Sequence, residues 1–186
     1  MTRRRFIFDP PDRFVAGTIG EPGQRTFFLQ ARDGARVVSV ALEKAQVAVL
    51  ADRLGQLLGE LERRGVAPAL ATAGPDRDAG PLDEPLNETF RAGALTLGWD
   101  GDAERVLVEA RAESDDSEPI DPDEDDDEDE DGPDLLRVRM TAAAARGFVE
   151  RAVRIVASGR PPCPLCGQPL DPIGHICPRR NGHYVN

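Results

Sequence analysis

Histidine and cysteine are missing from the first 162 residues of this 186-residue chain. Lysine occurs once, as Lys44 among 23 basic residues, and the single tyrosine is Tyr184. These absences take the commonest general bases and covalent nucleophiles out of most of the chain. Carboxylates remain near turns at Asp9, Asp12, Glu21 and Asp33. No feature selects one pair of them over another, and such residues usually shape turns. There is no Walker loop, and Gly17-x-x-Gly20-x-x-Gly23 is not followed by a helical pattern, so it is not a dinucleotide fingerprint. The chain alone is therefore expected not to be an enzyme.

Long apolar runs are absent as well, which excludes a membrane-spanning helix. The basic start, Met1-Thr2-Arg3-Arg4-Arg5, leads straight into a strand-like segment rather than the apolar core of an export signal. A cytoplasmic location is expected, and cysteines confined to one motif suit a reducing compartment.

Every cysteine and histidine lies in the last 24 residues, as Cys163, Cys166, His175, Cys177 and His183. The pattern Cys-x2-Cys-x8-His-x-Cys-x5-His has the ligand types and compactness of a zinc site. In Cys163-Pro164-Leu165-Cys166-Gly167, a two-residue gap lets both sulfurs face one ion, and Gly167 allows the chain to turn so that backbone amides approach the sulfurs. Gly174-His175-Ile176-Cys177-Pro178 offers a nitrogen and a sulfur two residues apart. The expected ligands are Cys163, Cys166, His175 and Cys177, with His183 as the alternative fourth. Three thiolates are too few for a usual iron–sulfur cluster. A structural disulfide would leave one cysteine over, and redox pairs usually open a helix, whereas prolines surround this one. The ligand set can close without water, so a structural rather than catalytic site is expected, in a zinc-ribbon-like tail over residues 160–186.

The rest of the chain is 40% apolar overall and charged very unevenly. The net charge is −11, yet residues 113–134 hold 15 of the 34 acids and no base. That leaves 19 acids against 23 bases elsewhere, a surplus of four positive charges. The acidic segment cannot bury apolar surface and is expected to be disordered. Asp127-x-Asp129-x-Asp131-Gly132 starts like an EF-hand loop, but its twelfth position is Val138 where a bidentate Glu is needed. A solvated tether is the simpler reading, and a cover for the basic body is the other.

The body reads as two similar halves. Phe14-Val15-Ala16-Gly17-Thr18-Ile19-Gly20 resembles Phe90-Arg91-Ala92-Gly93-Ala94-Leu95-Thr96-Leu97-Gly98. Second strands are expected at Thr26–Arg32 and Arg105–Arg111, third strands at Val37–Leu42 and Leu135–Met140, with Asp33-Gly34 and Asp100-Gly101 as turn residues. Helices are expected at Glu43–Arg64 and Thr141–Ser158, with stripes Val47, Leu50, Leu54, Leu57, Leu58, Leu61 and Ala145, Phe148, Val149, Ala152, Val153, Val156. Thr141 suits an N-cap, and Gly65 and Gly159 suit helix ends. The spacing thus predicts an α+β fold: a duplicated strand–strand–strand–helix unit around an antiparallel sheet, with halves related by a pseudo-two-fold axis. The first half takes residues 1–66, with an extra N-terminal strand at Arg5–Asp9. A linker takes 67–88, and the second half takes 89–159 with the acidic insert inside it.

The tail's Arg179, Arg180 and Tyr184, with Arg160 before the first cysteine, also fit a nucleic-acid surface of phosphate contacts and base stacking. The simpler reading is that these arginines dock the tail on body carboxylates. Phe27, Phe28 and Trp99 are expected to face the core.

Both ends of the chain carry a resemblance. Arg4-Arg5-Phe6-Ile7-Phe8-Asp9-Pro10-Pro11-Asp12-Arg13-Phe14-Val15-Ala16-Gly17 at the start, and Cys163-Pro164-Leu165-Cys166-Gly167-Gln168-Pro169-Leu170-Asp171-Pro172 with Gly174-His175, Cys177-Pro178-Arg179 and Asn181-Gly182 at the end, resemble domain-of-unknown-function family 3090, an uncharacterised actinobacterial family. The resemblance implies a cytosolic actinobacterial protein, and it agrees with the arginine-, alanine-, glycine- and proline-rich usage of a GC-rich genome. It brings no established activity. Its implied gene neighbours, a phosphomutase-like and a kinase-like protein, raise a place in an enzyme complex of phosphoryl metabolism. Composition and motifs together favour a non-catalytic zinc-binding protein that acts as an adaptor for another protein.

Overall fold

The computed structural model describes residues 3–66, 78–114, 132–159, 163–166, 177 and 179. Seven strands and two helices follow in the order β1 (Arg5–Phe8), β2 (Arg13–Ile19), β3 (Thr26–Asp33), β4 (Arg36–Leu42), α1 (Lys44–Arg63), β5 (Glu88–Asp100), β6 (Arg105–Ala112), β7 (Leu135–Met140) and α2 (Ala142–Ala157). The fold is α+β. The strands form one sheet in the order β1-β7-β6-β5-β4-β3-β2. The expected antiparallel sheet is corrected here to a mixed one. β2-β3-β4 and β5-β6-β7 are antiparallel meanders, but β4 pairs with β5, and β1 with β7, in parallel.

The cause is connectivity. A parallel neighbour needs a crossover, and α1 with the segment after it supplies one between β4 and β5. The last strand of the first meander lies beside the first strand of the second, and the two run the same way. The two meanders are thus set side by side along one sheet.

Local chemistry accounts for the elements. β3 and β4 join across Gly34, whose φ of +55 favours glycine. Asp100 closes the β5–β6 turn by accepting hydrogen bonds from the Asp102 and Ala103 amides. Thr141 caps α2, its Oγ1 accepting from the Ala144 amide at 3.2 Å. Glu43 and Gln46 form a reciprocal capping box on α1.

One core fills the space between the inner sheet face and the two helices. Val47, Leu50, Ala51, Leu54, Leu58 and Leu61 are the buried stripe of α1. α2 contributes Ala145, Phe148 and Ala152, and its Phe148 ring stacks on Phe14 of β2 at 4.8 Å. Fully burying each such large side chain stabilises the fold by about 1.5–3 kcal/mol. Lys44 beside Gly159, Gly55 facing Val149, and Glu62 paired with Arg146 show that the helices run antiparallel. The sheet also curls, because β1 at one end of the strand order touches β3 near the other. Arg36 of β4 bridges that mouth. Its guanidinium lies 4.8 Å from the Phe8 ring centre and donates to the Ile7 carbonyl.

The outer sheet face differs between the meanders. Behind the first lies a small apolar cluster of Val15, Phe28, Ala41 and Leu82, with Leu86 packed against it. Phe27 and Phe28 therefore serve opposite faces, as strand alternation requires, and Phe28 is not in the main core. Leu82 comes from the segment read as a linker. It fits because Gly17 has no side chain: a Cβ there would lie 2.4 Å from Leu82 Cδ2. Behind the second meander the row is charged, with the buried Glu109 flanked by Arg137 and Arg111. No helix of the described residues is long and apolar enough to cross a membrane.

Candidate metal centre

The structure brings together the three cysteines that the spacing singles out. The sulfurs of Cys163, Cys166 and Cys177 all lie within 4.8 Å of one another. Cys163 and Cys177 are buried, with their sulfurs 4.0 Å apart, and Cys166 is half-buried. None is in a disulfide, and 4.0 Å is about twice the length of a sulfur–sulfur bond. Four thiolates around a tetrahedral zinc ion, at about 2.3 Å each, stand roughly 3.8 Å apart. The observed spacing is that of sulfurs sharing one ion. Among the described residues this is the one such group of metal-ligating side chains.

The backbone prepares the sulfurs as acceptors. Pro164 to Cys166 form a turn, which aims the Leu165 amide at Cys163 Sγ at 3.4 Å. Hydrogen bonds from the Cys166 and Leu165 backbone hold the Cys163 thiol below its ordinary pKa, against the opposing effect of burial. Such N–H···S bonds favour the thiolate, the form that binds metal. The turn leaves the Leu165 side chain 50% exposed at its tip. His175 and His183, the two candidates for a fourth ligand, lie outside the described residues. So do Asp127–Asp131 of the calcium-like run, Arg160, Arg180 and Tyr184.

Two of the four candidate carboxylates near turns have structural partners. Asp12 accepts from the Gly34 amide at 2.8 Å, and Asp9 pairs with Arg139. Sequence reasoning missed a different cluster. Arg151, on the buried side of α2, donates to the Ala16 carbonyl of β2, to the Asp78 carboxylate at 2.9 Å and to the Gly80 carbonyl at 2.7 Å. Arg13 donates to Asp78 and Asp83, and Arg32 pairs with Asp83. Gln30 completes the group, exchanging hydrogen bonds with the Asp83 backbone. The hydrogen bond from Arg13 holds Asp78 below the usual carboxylate range and raises Arg13 in turn. Burial lowers Arg151, with the Asp78 charge opposing. Both carboxylates here are matched by guanidinium groups, so the cluster acts as a clamp between α2, β2 and the crossover segment. Its sequence signal is Arg151 itself, three residues after Phe148 on the apolar stripe.

The chain belongs to a family of proteins of unknown function, DUF3090, whose sequence model matches residues 6–177. The match spans the body and all three cysteines and ends before His183. No curated protein and no solved structure matches the chain.

Proposed function

We propose that this protein is a non-catalytic, cytoplasmic zinc-binding adaptor whose C-terminal tail is a zinc ribbon. The observation that carries the reading is the sulfur triad of Cys163, Cys166 and Cys177, gathered at the spacing of a shared ion. His175 completes the set in this reading, because it lies inside the family match while His183 lies beyond it. When bound, zinc would supply cross-linking of the tail rather than Lewis-acid chemistry. The adaptor role rests on Leu165, an apolar side chain held half-exposed between two ligands, where a partner protein can bury it. An actinobacterial origin and an internal duplication also belong to this reading. In support of the duplication, stripe positions of both helices, Leu50 and Leu54 on α1 and Phe148 and Ala152 on α2, are buried.

Metal analysis of the full chain purified without chelator tests the proposal. One zinc per chain is expected. Cys163→Ser and His175→Ala should lower the content and His183→Ala should not. A chain free of metal would sink the reading, and loss only in His183→Ala would reassign the fourth ligand. Salt-dependent retention on nucleic acid at near-physiological salt would favour the nucleic-acid reading of the tail instead.

A further inference from the structure

A second site lies at the opposite end of α2 from its cap, and it needs no metal. The turn between β2 and β3 folds tightly: the Gln24 amide donates to the Glu21 carbonyl at 2.9 Å, and Gly20 and Gly23 both take φ near +100. Arg25, the last turn residue, reaches across and donates to the Ser158 carbonyl just after α2. α1 starts beside the same place, with Lys44 Nζ against Gly159. Between turn, helix start and helix end lies a cavity of ≈ 520 Å³, within the range of small-molecule pockets.

Its lining is selective. Phe27, a core side chain 6% exposed, and the half-buried Ile155 and Pro22 give it apolar walls. Arg25 and Lys44 give it two positive charges, and among the described residues no carboxylate lines it. That is a notable balance in a chain with 34 acids against 23 bases. Glu43, the N-cap next to Lys44, is turned to Arg91 and to its own capping box. Lys44 is also the one lysine of the chain, a compact ammonium with freely rotating donors where every other cation is a planar guanidinium.

We propose that this cavity binds a small organic anion, a carboxylate or phosphate headgroup on an apolar body. The headgroup meets Lys44 and Arg25, and the body lies against Phe27 and Ile155. Arg25 keeps donors for it beyond the one used on Ser158, since a guanidinium carries five. An apolar wall beside a cation pair fits both halves of such a ligand and rejects free cations and bare hydrocarbons.

The test is an amide-resolved NMR titration of the full chain with three probes of one shape: benzoate, phenyl phosphate and benzylamine. Saturable shifts at Gly23, Lys44, Ser158 and Gly159 are expected with the two anions, and none with benzylamine. The stronger of the two anions identifies the headgroup. Lys44→Gln, at an exposed position, should weaken binding about tenfold, the factor one charge-assisted hydrogen bond carries. Arg25→Gln should do likewise, and its folding is checked by the unshifted core resonances. Arg53→Gln, an exposed change at the middle of α1, should leave binding intact. Absence of saturable shifts at millimolar anion, equal response to benzylamine, or undiminished affinity in Lys44→Gln would each overturn the site. None of these outcomes depends on zinc, so this site and the metal reading stand or fall separately.

Discussion

The body and the tail are held by different means. The body buries a continuous core from seven strands and two helices, enough apolar surface to fold without help. Around the tail's Cys163, Cys166 and Cys177 there is a turn and three sulfurs but no element of sheet or helix among the described residues. A segment that short seldom folds by burial alone, and a metal is the usual substitute. The contrast teaches that a motif's chemistry and a protein's stability can reside in separate parts of one chain.

Stripping the proposed zinc is the sharpest way to test that division, and its expected effect is the largest. Structural zinc sites contribute about 10–16 kcal/mol in small modules. A strong chelator should therefore collapse the amide signals of Cys163–Cys166 and Cys177. The body's urea midpoint should move by less than the equivalent of about 0.5 kcal/mol. A body that melts along with the tail would break the comparison.

Within the body, Arg151→Ala should do the most harm. It leaves the Ala16 and Gly80 carbonyls and part of the Asp78 charge without their buried donor. A loss of about 3–5 kcal/mol is expected in denaturant unfolding. Leu82→Ala comes next, at about 2 kcal/mol, because it empties the small outer cluster rather than the main core. A larger loss from Leu82 than from Arg151 would mean that the crossover segment is held by its apolar contact and not by the clamp.

Acid should act least and last. Asp78 has a folded pKa below its unfolded one, owing first to the Arg13 hydrogen bond. Its contribution is therefore fully present above the unfolded value, about 4, and is lost as pH falls through the lower folded value. Asp134 behaves the same way: burial pushes it up, but hydrogen bonds from the Arg4 side chain and backbone outweigh that. Stability of the wild type should fall below about pH 4, and Asp78→Asn should flatten the decline. Equal slopes for both proteins would remove Asp78 from the account.

Elements with local signals were legible in the sequence. Both helices fall within a residue of their expected ends, because a cap and an apolar period mark them. The Asp33-Gly34 turn and the β2-to-β4 meander followed from turn chemistry for the same reason. The parallel pairings did not, since no short turn announces them and the β1–β7 partners lie 130 residues apart. The clamp was hidden because Arg151 on a helix reads as solvent-facing, as Arg53 of α1 indeed is. Leu82 was hidden inside a stretch whose composition reads as linker. The cysteine triad was legible from spacing alone, because two-residue gaps constrain sulfurs strongly. Two histidines at comparable distance gave no such constraint.

The Arg151 bond to Ala16 reaches beyond stability. β2 is a terminal strand, and α2 lies along it with a guanidinium seated on one of its carbonyls. At the other terminus, β1 is folded back toward β3 under Arg36. Each of these contacts gives an incoming strand a poorer template at its end of the sheet. Strand exchange between copies is thereby disfavoured at both ends.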